Sequence, residues 1–462
     1  MPWQFHCQSR STVVDANTGS RDPELKLPKL ASLIVIIAAN ILLQISFYII
    51  VSSSNAYALH LGGTSTFSGV VIGISTLFSG LSIPLLMKLD GGGYKLPLHV
   101  SCGASILGHI LYASAYRANY LYLILIGRIV SGFAFTLMMY CKRYCSDPRI
   151  VGVRRRTTLA SWLVIGQGLG MSLGPFAGGL LYKIGFKNSI FNGFTSPGWL
   201  MAALWSIFWI FTTLFYEDIP KDQRGFSDPP SASPPNSASE HLINEKDTSK
   251  GPTIPPLPLP QPKYRMSYAQ WGVTVCMCWF AMTSFFILGA WESNLPVFGA
   301  DTPEFHWSAF AAGNFIALGG ITAMPFLIIN LLLVKRIQDR HILAFGSSLG
   351  VSALLVFLSL LLSQKLNYAS VLMCWWGVAL GFNVASTVTV SMLSKQLPPS
   401  WNNRMSLAIQ YSNYTGRLTG AVWGGAGFHV GMMNYVGLEI TLAGIGGILL
   451  IFLWQNLKTK MG

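Results

Sequence analysis

Apolar residues gather along this chain in runs of about twenty, separated by short polar stretches. An α-helix needs a run of about that length to cross a ~30 Å hydrocarbon core. Twelve runs are predicted, with limits 31–53, 66–87, 96–116, 120–141, 158–182, 197–215, 270–292, 307–334, 341–363, 368–393, 404–427 and 436–455. In lipid only a helix or a closed barrel satisfies its own backbone, and runs this long predict helices. Residues 1–30 and 456–462 read as short polar tails. Residues 216–268 break the pattern: DPPSASPPNSASEHLINEKDTSKGPTIPPLPLPQP is rich in Pro, Ser and charge. Such a stretch buries too little apolar surface to fold alone and is predicted to be a disordered linker. Its IPPLPLPQP end also fits an SH3-type ligand, a spacer being the simpler reading. The linker divides the chain into two six-helix blocks, 31–215 and 269–455.

Composition agrees with the pattern. Of 462 residues, 52% are hydrophobic and 10% charged, against about 25% charged in soluble proteins. The net charge of +14 does not indicate nucleic acid, because the basic residues cluster between apolar runs. With both termini inside, the segments after spans 4 and 8 carry Lys142, Arg143, Arg149, Arg154, Arg155, Arg156, Lys335, Arg336 and Arg340. Outside loops hold only Arg117, Lys183, Lys187 and Lys365. The positive-inside rule therefore places the tails and the linker in the cytoplasm. The seven cysteines read as free thiols. The first 28 residues are polar and lack an apolar signal-peptide core, so span 1 is expected to direct insertion. The fold class is an all-α membrane protein of twelve transmembrane helices in two six-helix pseudo-repeats.

Span 5 contains GQGLGMSLGPFAGG, residues 166–179. Gly166, Gly170, Gly174 and Gly178 recur every four residues, and Gly416, Gly420 and Gly424 repeat the spacing in span 11. Glycines four apart leave one helix face bare, and a neighbouring membrane helix can then approach closely. Pro175 and Gly179 complete the run, with Pro175 expected to kink the helix. A packing face is the simpler reading; a pliable helix at a moving seam is the functional one.

The run resembles the span-5 signature of the major facilitator superfamily, which ends in GPxxGG. IGRIVSGFAF, 126–135, is similar to the span-4 motif of that family, and VKRIQDR, 334–340, to the basic element after span 8. KLDGGGYK, 88–95, keeps Asp90 and two lysines of the corresponding element after span 2 but departs from its usual pattern. The resemblance implies a transporter of two rocking bundles, proton-driven antiport from the span-5 signature, and cytoplasmic gating at Asp90, Asp339 and Arg340. YKLPLHVSCGASILGHILYASAY, KRYCSD, NGFTSPGWLM and GRLTG further resemble the branch with lysosomal facilitator proteins and SPX-domain vacuolar phosphate transporters. Met138 stands where phosphate-transporting members commonly carry a basic residue.

Charge within a bilayer is costly, so each instance is a candidate site. Arg417 lies mid-span 11, and Gln410, Asn413 and Arg417 share one helical face by their i, i+3, i+7 spacing. The expected role is substrate binding at a cavity, the alternative a structural ion pair. Arg128 lies about seven residues inside span 4, roughly 10 Å deep. The resemblance makes it a helix-tying or coupling residue; snorkelling to the outer surface is the alternative. Glu292 ends the predicted span 7 and is the candidate proton-carrying acid, with an interfacial position as the alternative. Glu439 opens span 12 and reads as unremarkable. Asn40, Gln44 and Tyr48 follow i, i+4, i+8 on span 1. Gln167, Asn314, Trp376 and Asn383 are further polar or aromatic candidates for a path, or for glue between helices.

No enzyme, metal or cofactor motif is present in the sequence. The reading is a multi-pass secondary transporter in the plasma membrane or a vacuolar or lysosomal membrane, expected to act as a monomer. Its partners are the lipid bilayer, a small-molecule substrate and protons, with no nucleic acid. The leading expectation is proton-coupled efflux of a small organic acid or specialised metabolite. An organellar anion carrier or channel comes second, and a non-transporting receptor third.

Overall fold

In the computed structural model, residues 23–219, 265–333, 337–398 and 401–458 are described. Most of the predicted linker, the two chain ends, Lys335 and Arg336 lie outside them. Among the described residues, eleven spans are long and apolar enough to cross a membrane. They are Leu30–Tyr48, Ser65–Leu89, Lys95–Ala118, Tyr122–Ser146, Thr158–Ile184, Ser196–Phe215, Tyr268–Asp301, Ala309–Asn330, Asp339–Leu362, Tyr368–Gln396 and Met432–Phe452. The helix Asn402–Val430 completes the predicted set as span 11. Its 29 residues carry Gln410, Asn413 and Arg417, which lower its mean hydropathy below that of its neighbours. The face bearing Leu30, Phe215 and Tyr268 is called the inner face below.

Local chemistry explains where helices depart from the predicted limits. Span 1 stops at Tyr48, before the serine run 52–54, and a short helix Ser54–His60 follows. Serine side chains compete for backbone partners and favour such breaks. Span 4 is two helices, Tyr122–Phe135 and Leu137–Ser146. Span 10 repeats the break, as Tyr368–Thr387 and Thr389–Gln396. Span 7 runs nine residues past its predicted end, to Asp301, through Asn294, Pro296 and Gly299. Those residues signal a loop in sequence, but packing overrides the signal. Ser293 Oγ donates to Ala421 O at 2.8 Å and Asn294 Nδ2 to Gly424 O at 3.0 Å, so span 11 holds the extension in place.

The two halves repeat one packing scheme. In the first, span 5 lies on span 1, where a Cβ at Gly170, Gly174 or Gly178 would overlap Gln44, Tyr48 or Ile49. In the second, span 11 lies on span 7, where a Cβ at Gly416, Gly420 or Gly424 would overlap the carbonyls of Met282, Phe286 or Ala290. The bare glycine faces are thus spent within each bundle. Different faces of the same helices join the bundles. Span 5 meets span 8 at Gly179–Ala309 and Pro175–Gly313, and span 11 meets span 2 at Ala421–Gly69 and Leu418–Gly73. These two seams carry most of the contact between the halves. They run from the outer ends inward as far as Gly168–Met324 and Gly80–Tyr411. The inner segments Leu137–Ser146 and Thr389–Gln396 pack chiefly within their own bundles. Among the described residues the halves are therefore closed on the outer side and parted on the inner side.

Candidate functional site

Three helices meet between the two seams, level with the Gly73–Leu418 contact. Span 1 supplies Phe47 and Tyr48, span 7 supplies Glu292, and span 11 supplies Arg417. Each sits beside a glycine crossing that sets its position: Gly174 backs Tyr48, and Gly289 packs on the Arg417 backbone. Arg417 forms an ion pair with Glu292 through Nη2 and Oε2. The same Nη2 donates to the Tyr48 hydroxyl at 2.7 Å. That hydroxyl in turn donates to Glu292 Oε1 at 3.3 Å. The Arg417 guanidinium lies 4.6 Å from the Phe47 ring centre and 5.2 Å from that of Tyr48. Glu292 is 1% exposed and Arg417 9%, so the pair is shielded from water and from lipid.

This geometry shows where Glu292 and Arg128 sit. Glu292 was open to an interfacial reading because span 7 was predicted to end there. The extension to Asp301 instead puts it nine residues from the helix end, roughly 14 Å at 1.5 Å per residue. Arg128 does not snorkel: at 2% exposed, it donates to Val71 O at 3.3 Å and Ser75 Oγ at 3.0 Å, tying span 4 to span 2. Its guanidinium also lies 5.5 Å from the Phe47 ring centre. One phenyl ring therefore neighbours a cation from each half.

The remaining candidates divide. Asn40 donates to Leu163 O at 2.9 Å, joining spans 1 and 5, while its Oδ1 is buried without a partner among the described residues. Gln44 donates to Met138 Sδ at 2.8 Å, joining spans 1 and 4 just below Tyr48. Gln410 bonds Tyr414, whose hydroxyl accepts from Ser79 of span 2 at 3.0 Å. Asn413 and Asn314 are half-buried, each with an unpartnered Oδ1 among the described residues. Asn383 donates to Ala379 O of its own helix at 2.7 Å. Trp376 packs edge-on to Phe326. Six cysteines are free thiols, and Cys7 lies outside the described residues.

Two acids organise the inner ends, each within its own bundle. Asp90 accepts from the Tyr140 hydroxyl at 2.8 Å and pairs with Arg143 at 3.2 Å. Asp339 accepts from Ser391 Oγ at 2.8 Å and pairs with Lys395 at 2.9 Å. Tyr140, Arg143, Ser391 and Lys395 were not legible as partners, since each lies some fifty residues from its acid. Arg340 turns away from this group, donating to Trp454 O at 3.1 Å. Beside the Asp90 cluster, Asp147 pairs with Arg149 at 2.6 Å and accepts from Tyr94 at 2.7 Å. Burial would raise the Asp147 carboxyl, but the hydrogen bonds from Arg149 and Tyr94 outweigh it and hold the group below the usual range.

Glu439 lies deeper than its predicted place at the start of span 12. It is fully buried and accepts from Trp291 Nε1 at 2.9 Å, while its other oxygen lacks a partner among the described residues. The signal for it was an acid inside an apolar run, which the start of span 12 at Met432 places deeper than predicted.

Two six-helix repeats packed about a central junction are an architecture of secondary transporters. The chain belongs to the Major Facilitator Superfamily, whose family model matches residues 35–421. It is similar to two uncharacterized MFS-type transporters of Schizosaccharomyces pombe. One is 31% identical over 97% of this chain and 86% of its own length, the other 31% identical over 94% and 83%. An SPX domain-containing membrane protein of Arabidopsis thaliana is 34% identical over 40% of this chain and 26% of its own length. Among solved structures, a POT family transporter in complex with 5-aminolevulinic acid matches with a TM-score of 0.67 at 11% identity. That match covers 93% of this chain and 98% of that one, and it bears on the fold alone. The family is one of transporters rather than enzymes.

Proposed function

We propose that this protein moves a small organic acid across a membrane by alternating access, coupled to protons through Glu292 and Arg417. The observation that carries the reading is the Arg417–Glu292 pair, braced by Tyr48 from the opposite bundle. A buried pair stripped of one partner costs about 3–5 kcal/mol. A proton on Glu292 removes one charge of the pair and leaves the guanidinium uncompensated. An anionic cargo supplies the missing charge. Proton and anion therefore favour each other's binding, and linkage makes the preference reciprocal. Tyr48 links this event to the seam, because its hydroxyl crosses between the bundles. Loading relaxes that bridge and lets the halves rock about the junction.

Coupling of this kind moves proton and anion together. The span-5 signature favours a second reading, exchange of cargo for protons with net efflux, in which cargo and proton compete for Glu292. Both are tested with the purified full chain in proteoliposomes. Untargeted profiling of cells with and without the gene supplies the cargo. An internal pH dye and labelled cargo then report both fluxes. Proton entering with cargo supports the first reading and proton leaving against it the second. Cargo flux indifferent to an imposed pH gradient overturns both.

A further inference from the structure

One cation on the inner path is left out of the pairing described above. Lys142 lies in the inner half of span 4, Leu137–Ser146. Its neighbours Met138, Cys141 and Cys145 are buried, yet Lys142 itself is exposed. Lys142 is four residues from Met138 and so shares its helical face, the face that meets Gln44 of span 1. An exposed residue on that face opens onto the gap between the parted inner halves. Arg143, the next residue, faces the other way and pairs with Asp90. Lys142 makes no ion pair among the described residues.

The charges of the junction can be accounted for. Arg417 is matched by Glu292. Arg128 is sealed against Val71 O, Ser75 and Phe47. Lys142 is thus an accessible, unmatched positive charge facing the gap. It also has a route upward. Met138 lies one helical turn above it and accepts from Gln44, and Tyr48 lies one turn above Gln44. Two turns of helix separate Lys142 from the Arg417–Glu292 pair, roughly 11 Å at 5.4 Å per turn.

We infer that Lys142 is the docking cation for the cargo's anionic group, a carboxylate or a phosphate, before that group advances along Gln44 to Arg417. The inference rests on the reading of the gap as an anion path. Lys142 holds the anion at the inner mouth while Arg417 is still occupied by Glu292. A proton on Glu292 then frees the deeper site. A flexible ammonium suits transient capture, being a point charge without the fixed fork of a guanidinium.

The test uses a reporter that does not require transport. Ser146 is exposed one turn below Lys142 on the same helix. In the full-length Ser146→Cys chain, in proteoliposomes with the inner face accessible, the thiol is reacted with impermeant thiosulfonates bearing a sulfonate or a trimethylammonium group. Reactivity of the native cysteines is subtracted using the unsubstituted chain. The expected result is a rate ratio favouring the anionic reagent, falling at least threefold with Lys142→Gln and kept with Lys142→Arg. Succinate or inorganic phosphate at millimolar concentration slows the reaction only when the cation is present, and whichever acts names the anion. An equal ratio with Lys and Gln overturns the inference, as does a reaction that neither anion slows. Failure of pH-driven flux alone would sink the proposed coupling and leave these rates unchanged.

Discussion

Replacing Arg417 by Met while Glu292 remains should destabilise the protein more than replacing both. The single change leaves a carboxylate that is 1% exposed, with only the 3.3 Å bond from Tyr48. Breaking a buried pair in this way costs about 3–5 kcal/mol. The entropy of unfolding is about 2.1 cal/mol/K per residue, so 462 residues give roughly 1 kcal/mol per degree. The expected loss is then ~3–5 °C in Tm, read as monodisperse protein surviving a heat series in detergent. The double variant Arg417→Met/Glu292→Met places apolar groups in the same volume, against Phe47 and Phe285. It should recover to within ~1–2 °C of wild type, because uncharged replacements of buried pairs are commonly neutral. It should also carry no cargo. The discriminating quantity is the gap between single and double variants. If both lose the same Tm, the two side chains are not energetically coupled and the proton-linked mechanism loses its basis. If the double variant transports normally, the pair is structural only.

Gly178→Leu should cost about 1–3 kcal/mol by overpacking, since even a Cβ there overlaps the Ile49 carbonyl. Gly437→Ala, with open space around it, should stabilise its helix by up to about 1 kcal/mol; equal Tm shifts for the two would refute the packing account. Asp147 is held below the usual carboxylate range. Its contribution is therefore present at neutral pH and lost as pH falls below about 4. Asp147→Asn should lower Tm at neutral pH and flatten its acid dependence, and an unchanged slope would remove Asp147 as the cause. Glu439→Gln keeps an acceptor for Trp291 and should change Tm little. Glu439→Leu strands that indole donor at a cost of about 1–3 kcal/mol, and equal stability of the two would show that the 2.9 Å bond contributes nothing.

Helix number and type were legible because lipid allows few alternatives: an apolar run of twenty residues has one stable form there. The repeat was legible because glycine spacing records helix crossings directly. Arg417, Arg128 and Glu292 stood out because charge is rare in such runs. Their partnerships were not legible. Tyr48 lies 244 residues from Glu292 and 369 from Arg417, and no local pattern spans such separations. The end of span 7 was misread because Asn294 and Pro296 signal a loop, and only the contacts from span 11 overrule them. Lys142 reads in sequence only as one of the cytoplasmic positive charges, and its exposure within span 4 appears only in the structure. The depth of Glu439 was not legible because its helix begins at Met432, four residues before the predicted start.

Spans 5 and 11 press uncovered backbone onto spans 1 and 7, and this separates two kinds of information. The angle at which each pair of rods crosses is written in residues that have nothing beyond the main chain to alter. On the proposed path the solute meets side-chain ends instead, those of Gln44, Met138 and Lys142. Changing those few side chains would alter what is carried and leave the swing of the two halves as it was. A scaffold divided in this way can acquire new cargoes without having to reinvent its motion.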